Sequence, residues 1–307
     1  MGLFNDYESS GSGISKSAPK KKGMSLFLDI LGRKFWQLAG LNLLFFLFFL
    51  PLFLIITAIQ YIPDSGPVLA VIAALLLIFA VNIGPATAGM TKVIRCYLVE
   101  KHTYVVRDFF RGFRANYKKA AVIGFIDCIV FLSAFAAVNV YPVLAVQLGT
   151  KLMYVPMIIS YSLVIVVLMM NYYIYLMMVA TNLSLKNLIK NSFALTFVAM
   201  KTNVIITLLV LLIIGLLVPL MLFAFPVFLT LLPFYPAAFM TLVVCFNSYP
   251  VIQKYVINPY YTSIGKINPE LTGFEEETED IEKVFEDMGG KEKPIEKRKK
   301  GKGKRIS

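Results

Sequence analysis

The strongest constraint on this chain is a series of apolar runs, each long enough to cross a bilayer. One of them, "LNLLFFLFFLPLFLIITAIQ" at 41–60, contains no charged residue. A hydrocarbon core about 30 Å thick needs roughly 20 apolar residues in a helix. A hydrophobic share of 58% also exceeds what a soluble domain carries. Six runs qualify as spans, at about 36–60, 67–90, 120–142, 153–180, 203–225 and 229–252.

These runs predict an all-α polytopic membrane protein with about six transmembrane helices. A membrane β-barrel would show strands of about ten residues with alternating polarity, which the runs lack. We expect three regions along the chain. Residues 1–23 form a disordered cytoplasmic N-terminus, residues 24–257 form the transmembrane domain, and residues 258–307 form a charged, largely disordered cytoplasmic tail.

The lysines and arginines predict the orientation. The N-terminal segment, the connections between spans 2 and 3 and between spans 4 and 5, and the C-terminal tail hold 29 of the 30 basic residues. The exception is Lys151. The positive-inside rule therefore predicts a multi-pass protein of the cell membrane with both termini in the cytoplasm. The net charge of +12 is then explained by basic residues that face the anionic lipids of the inner leaflet, so the predicted partner is the lipid bilayer. The charge indicates no specific nucleic acid.

Two cytoplasmic segments have the pattern of amphipathic interfacial helices. In "VVRDFFRGFRANYKKA" at 105–120, aromatic residues and basic residues recur at helical spacing as two neighbouring stripes. "LKNLIK" at 185–190 repeats the pattern, which makes an internal duplication of units 67–142 and 153–225 a hypothesis. Each helix could anchor its loop to lipid headgroups or dock a partner. The candidate docking residues are Arg107, Asp108, Arg111, Arg114, Lys118, Lys186 and Lys190.

One acidic residue, Asp127, lies inside an apolar span. A charge there costs several kcal/mol, so the residue is either an interfacial or inter-helix hydrogen-bonding group, or a group that handles a substrate or ion. A second candidate is "NIGPATAGM" at 82–90, where Asn82, Gly84 and Pro85 could line a break in span 2. Close helix packing is the alternative for its small residues.

No motif of an enzyme, a metal site or a cofactor site is recognisable. The three cysteines are isolated and the chain has a single histidine, His102. Motifs such as H-E-x-x-H, G-x-S-x-G and the P-loop are absent from the sequence. We therefore predict a protein that is not an enzyme, with no catalytic residues and no cofactor.

Four stretches in this order are similar to a known family: "KFWQLAGLNLLFFLFFLP" at 34–51, "NIGPATAGMTKVIRCYL" at 82–98, "YVVRDFFRGFRANYKKAAVIGFID" at 104–127 and "LSLKNLIKNSFAL" at 183–195. Over about residues 30–220 the chain resembles the YesL-like family of integral membrane proteins, found mostly in Firmicutes and classed as a domain of unknown function. The resemblance implies a small polytopic protein encoded near carbohydrate ABC-transporter genes, and it supplies no site residues.

Two functions follow as expectations. The first is an accessory or regulatory component of carbohydrate uptake that contacts ABC-transporter permease or ATPase subunits, or a second copy of itself. The alternative is a small solute transporter or channel in its own right, with Asp127 and the 82–90 segment as its site.

Overall fold

The computed structural model describes residues 23–61 and 66–263, together with residues 265, 268, 285–286 and 293–294. It describes the backbone alone at 56–61, 66–69, 285–286 and 293–294. Residues 1–22 of the predicted disordered N-terminus at 1–23, and most of the predicted tail, lie outside these residues. The chain divides into two compact units, residues 1–254 and 255–307.

The regular secondary structure of the first unit is entirely helical among its described residues, as predicted, and short loops and turns join the helices. Short 3₁₀ turns occupy Leu47–Phe49 and Lys151–Met153, and a π-helical turn begins at Gln253. The α-helices are α1 (Met24–Phe46), α2 (Leu50–Tyr61), α3 (Gly66–Leu98), α4 (Val105–Gln147), α5 (Tyr154–Ala180), α6 (Leu185–Val198), α7 (Met200–Phe223), α8 (Phe225–Leu231) and α9 (Pro236–Ile252).

The second unit contains α10 (Asn258–Ser263) and a two-residue antiparallel pair of strands. The strands are β1 (Phe285–Glu286) and β2 (Lys293–Pro294). Near α10 the side-chain amide of Asn268 donates a hydrogen bond of 2.9 Å to Asn258 Oδ1.

Five helical segments are long and apolar enough to cross a membrane: Met24–Ile55, Ala70–Leu98, Val105–Gln147, Lys151–Ala180 and Met200–Phe223. A sixth span results if α8 and the helix beginning at Pro236 are taken together. These two are bent by 60° at their junction. The predicted number of about six spans therefore corresponds to five helical segments and one broken pair.

The outer faces of these helices expose large apolar side chains. Phe135 of α4 is 71% exposed, and Leu216 and Phe223 of α7 are 65% and 89% exposed. Soluble proteins rarely present apolar patches of more than a few hundred Å² to water. Such faces suit contact with acyl chains, which explains why an amphipathic pattern is weak along these spans.

Glycines allow α3 and α4 to pack as a close antiparallel hairpin. A Cβ atom added at Gly84 would lie 1.9 Å from the carbonyl oxygen of Ala120, and one added at Gly124 would lie 2.8 Å from the Cα of Gly84. Further along, a Cβ at Gly89 would lie 2.8 Å from the carbonyl oxygen of Phe109. Backbones approach this closely only where side chains are absent. Gly84 therefore has a packing role.

The first predicted interfacial helix is not a separate element. Residues 105–120 begin α4, which continues without interruption to Gln147 over 43 residues, about 64 Å at 1.5 Å per residue. Nothing in the segment stops the helix, because its first proline is Pro142. Part of its aromatic stripe also packs inside the protein, where the ring of Phe48 lies 6.0 Å from that of the buried Phe109 and 5.2 Å from that of Phe113, whereas Tyr117 is exposed.

The second predicted interfacial helix is separate, and an asparagine marks its end. α6 stops at Val198 and α7 starts at Met200, which leaves carbonyl groups of the last turn without helical partners. Asn203 Nδ2 donates to the carbonyl oxygens of Leu195 and Thr196, at 3.3 and 2.8 Å. In turn Tyr173 donates to Asn203 Oδ1 at 2.5 Å.

A second asparagine bridges the break between α8 and α9. Asn42 of α1 is 1% exposed. Its Nδ2 donates to the carbonyl oxygen of Leu232 at 3.1 Å, and its Oδ1 accepts from the backbone N–H of Ala238 at 2.8 Å. An apolar environment offers no water to these backbone groups, so the amide replaces the missing helical partners.

Candidate functional site

A cavity of about 400 Å³ lies between α3, α4, α5, α7 and α9. Its walls are largely apolar, with a limited set of polar side chains that face it. This composition is typical of small-molecule sites, where a few polar groups orient a ligand among apolar ones. The polar side chains are Thr87, Thr91, Asp127, Cys128, Asn171, Tyr172, Tyr175 and Thr241, and Cys245 completes the set.

Asp127 is the carboxylic acid of this set. It follows Lys119 by eight residues along α4, about 12 Å at 1.5 Å per residue. The hydroxyl group of Tyr175 donates a hydrogen bond of 3.1 Å to Asp127 Oδ2, and the side chain of Asn171 also interacts with the carboxyl group. Both partners are neutral. They compensate in part for lost hydration, but they do not balance a negative charge.

The hydroxyl protons of the neighbouring residues are already engaged. Thr87 and Thr91 donate to the carbonyl oxygens one turn earlier in α3, each at 2.8 Å. Thr241 does the same within α9 at 2.8 Å. Tyr172 shares a hydrogen bond of 3.0 Å with Thr207. The oxygen atoms that face the cavity therefore act chiefly as acceptors, with the Asp127 carboxyl group as the strongest.

The described part of the chain contains no group of three or more His, Cys, Asp or Glu residues placed to hold a metal ion. Asp127 is also the one carboxylic acid among the described residues that line the cavity. The arrangement can hold and orient a small molecule through one carboxyl group, an amide, hydroxyl oxygens and aromatic rings.

The predicted 82–90 segment reaches the cavity through residues other than the candidates. Asn82 donates to the carbonyl oxygen of Ile78 within its own helix at 2.8 Å, and Gly84 and Pro85 are buried in an uninterrupted α3. Ile83 and Thr87 are the residues of this segment that line the cavity. The helix break that would expose Asn82, Gly84 and Pro85 to a substrate does not occur.

The predicted docking residues lie apart from the cavity lining. Arg107, Arg111, Arg114 and Lys118 are exposed on the first turns of α4, and Lys186 and Lys190 are exposed on α6. Asp108 differs from the others in its surroundings, as its side chain is buried.

The Asp108 carboxylate accepts the backbone N–H of Tyr104 at 2.9 Å and so stabilises the start of α4. The guanidinium group of Arg107 lies 4.5 Å from the centre of the Tyr104 ring. Lys119, which was not a candidate, donates from Nζ to the carbonyl oxygen of Leu183 at 2.7 Å and links α4 to the loop before α6.

Sequence reasoning missed the two partners of Asp127. Asn171 and Tyr175 are one helical turn apart on α5, so a polar stripe at this spacing in an otherwise apolar span was a usable signal. Tyr175 and Asp127 are 48 positions apart in the sequence. No local sequence pattern predicts a contact across that separation.

Comparison with known proteins gives one match. A family described as "Protein of unknown function, DUF624" matches residues 38–140, about a third of the chain. The matched part covers α2, α3, most of α4 and the latter part of α1, and it includes Asp127 and the basic residues that begin α4. The chain is thus similar to a family without an assigned function. No curated protein and no solved structure matches it.

Proposed function

We propose that this chain is a multi-pass protein of the cell membrane that binds a small solute in the Asp127 cavity and transports it as a transporter or channel in its own right. The observation that carries the proposal is the position of Asp127 beside a cavity of about 400 Å³ within apolar spans. Acidic residues inside spans are rare, and those that occur commonly serve a solute or ion path.

Orientation is part of the proposal. The basic side chains at the start of α4 lie at the same end of the helix as Lys119. The loop before α6 lies at this end too, because Lys119 binds the Leu183 carbonyl oxygen. Arg33 of α1 reaches Glu100, in the turn between α3 and α4, at 3.3 Å. Under the positive-inside rule this end faces the cytoplasm, which supports cytoplasmic termini.

Transport is tested with purified full-length protein in liposomes that trap neutral polyols, sugars or organic cations. We expect at least one of these solutes to leave the vesicles faster than from empty liposomes, and Asp127→Asn to slow that efflux at least tenfold. Glu100→Gln is the matched control, because it neutralises an acidic residue outside the cavity. Efflux equal to that of empty liposomes for every solute would contradict the proposal.

Solute entry into the cavity has an independent readout in Cys128, which lines it. In a Cys96→Ala, Cys245→Ala background, a small thiol reagent should label Cys128, and a bound solute should slow that labelling. If none of the solutes of the liposome assay slows the labelling of Cys128, the cavity holds lipid and does not bind these solutes.

A second candidate function is the accessory role in carbohydrate uptake, and the exposed basic face formed by Arg107, Arg111, Arg114 and Lys118 favours it. The resemblance to the YesL-like family of Firmicutes supports the same role. A photoreactive residue at Arg111 should crosslink to a permease or ATPase subunit in native membranes. The same probe at Phe135, on the lipid-exposed part of α4, is the control. Crosslinks from Arg111 to lipid alone would remove this candidate.

A further inference from the structure

The charge balance of the cavity is the starting point for identifying its ligand. Asp127 has two neutral partners, and none of the described residues that line the cavity is Lys, Arg or His. The basic residue nearest to it in sequence is Lys119, which lies about 12 Å away along α4 and binds the Leu183 carbonyl oxygen. An ionised Asp127 therefore leaves the cavity with an uncompensated negative charge, and a cationic ligand would balance it.

Aromatic rings form the second feature. Phe79, Phe131, Tyr172 and Tyr175 come from three different helices and all line the cavity. The faces of such rings carry a partial negative charge and attract cations, with a gain that grows as water is removed. A carboxyl group surrounded by rings suits a cation that carries apolar substituents.

The same lining argues against a small metal ion. Ca²⁺ takes six or more oxygen ligands, and Mg²⁺ needs near-octahedral oxygen coordination. The described lining offers one carboxyl group, and the described residues include no group of three or more His, Cys, Asp or Glu placed to hold a metal ion. An alkylated ammonium ion has little hydration to lose and needs no such shell.

We propose that the ligand of this cavity is a small monovalent organic ammonium ion. Its nitrogen lies beside the Asp127 carboxylate and its alkyl groups lie against the aromatic rings. The inference rests on the proposed function, because it assigns the solute class of the same cavity. The inference excludes anionic solutes. It predicts that the cavity binds a cation more tightly than a neutral polyol or sugar because of the charge.

The test compares choline with its neutral carbon isostere, 3,3-dimethyl-1-butanol, which has the same shape without the charge. Full-length protein in nanodiscs, with Cys128 as the one cysteine, is labelled with a thiol reagent at increasing concentrations of each compound. We expect choline to halve the labelling rate at a concentration at least tenfold below that of the isostere. Tetraethylammonium serves as a second cation.

Two variants separate charge from structure. Asp127→Asn keeps the size of the side chain and should reduce the preference for choline over the isostere at least tenfold. Glu100→Gln neutralises an acidic residue outside the cavity, and it should retain the preference. Helical content and elution as a single species in detergent establish that each variant is folded. If Asp127→Asn does not fold, the preference of the wild-type protein for choline over the isostere still decides the inference.

The outcomes distinguish this inference from the proposed function. Equal protection by choline and the isostere, or protection by neutral solutes that Asp127→Asn does not change, would overturn the cation assignment and leave a solute site. Absence of protection by either cation would also overturn it. If in addition no solute moves through the liposomes, the proposed function fails as well.

Discussion

The contact between α3 and α4 offers the sharpest prediction about the fold, through the substitution Gly84→Ala. The added Cβ would lie 1.9 Å from the carbonyl oxygen of Ala120 and 3.0 Å from the backbone nitrogen of Gly124. An ordinary contact of this kind needs about 3.4 Å, so the helices would have to separate by more than 1 Å at this point. The neighbours are backbone atoms of a helix, which cannot move aside as the end of a flexible side chain can.

The expected cost follows from two opposing effects. Overpacking of a close contact costs roughly 1–3 kcal/mol, and rigid backbone neighbours place this site at the upper end. Replacing glycine by alanine within a helix returns up to about 1 kcal/mol. We therefore expect a net loss of about 2 kcal/mol in the free energy of unfolding, which is roughly a 30-fold change in the ratio of folded to unfolded protein.

The assay is unfolding of the purified protein by titration with SDS, followed by circular dichroism. The matched control is Gly215→Ala in α7, since a Cβ at Gly215 would have no neighbour within 4 Å. The control should leave the free energy of unfolding unchanged or raise it. If Gly84→Ala proves as stable as Gly215→Ala, the close approach of α3 and α4 is wrong.

Further predictions concern the helix breaks and the orientation. Asn203→Leu should lower the free energy of unfolding by about 2 kcal/mol, because it leaves the buried carbonyl group of Thr196 without its donor and the Tyr173 hydroxyl without its acceptor. Asn42→Leu should cost about 1–2 kcal/mol for the same reason at the second break. Asn139→Leu, whose amide bonds one turn back in its own helix, should cost little in the same SDS titration. With the native cysteines replaced, Lys151→Cys should react with an impermeant maleimide in intact cells, whereas Arg114→Cys should react only after permeabilisation; equal labelling would contradict the orientation.

The positions of the spans could be predicted because the length of each apolar run marks it as a membrane helix. A run of about 20 apolar residues has few alternatives to a membrane helix. The continuity of α4 was not predictable in the same way. Its polar first part and its apolar second part differ in composition, which suggested two elements. Backbone continuity depends on the absence of a break, and nothing between Val105 and Gln147 ends the helix.

The site was predictable at one residue and not at its partners. Asp127 was recognisable because an ionised group in an apolar span is costly in any fold. Asn171 and Tyr175 form a recognisable polar stripe on α5, but no local pattern pairs that stripe with a residue of α4. Gly84 and Pro85 illustrate an ambiguity in the sequence. Small residues and proline serve both close packing and helix breaks, and for Gly84 the 1.9 Å approach to Ala120 favours close packing.

The asparagine contacts and the cavity together explain why Asp127 is where binding energy can be concentrated. At both helix breaks, amide side chains of Asn42 and Asn203 bond to backbone groups that would otherwise be unsatisfied in an apolar medium, the carbonyl group of Thr196 in the case of Asn203. The threonines around the cavity likewise bond within their own helices. Among the described residues that line the cavity, an ionised Asp127 would then carry the charge that its neutral partners leave unbalanced. A ligand that balances this charge gains more than one that adds another neutral hydrogen bond, so solute selection in this cavity should depend on charge before shape.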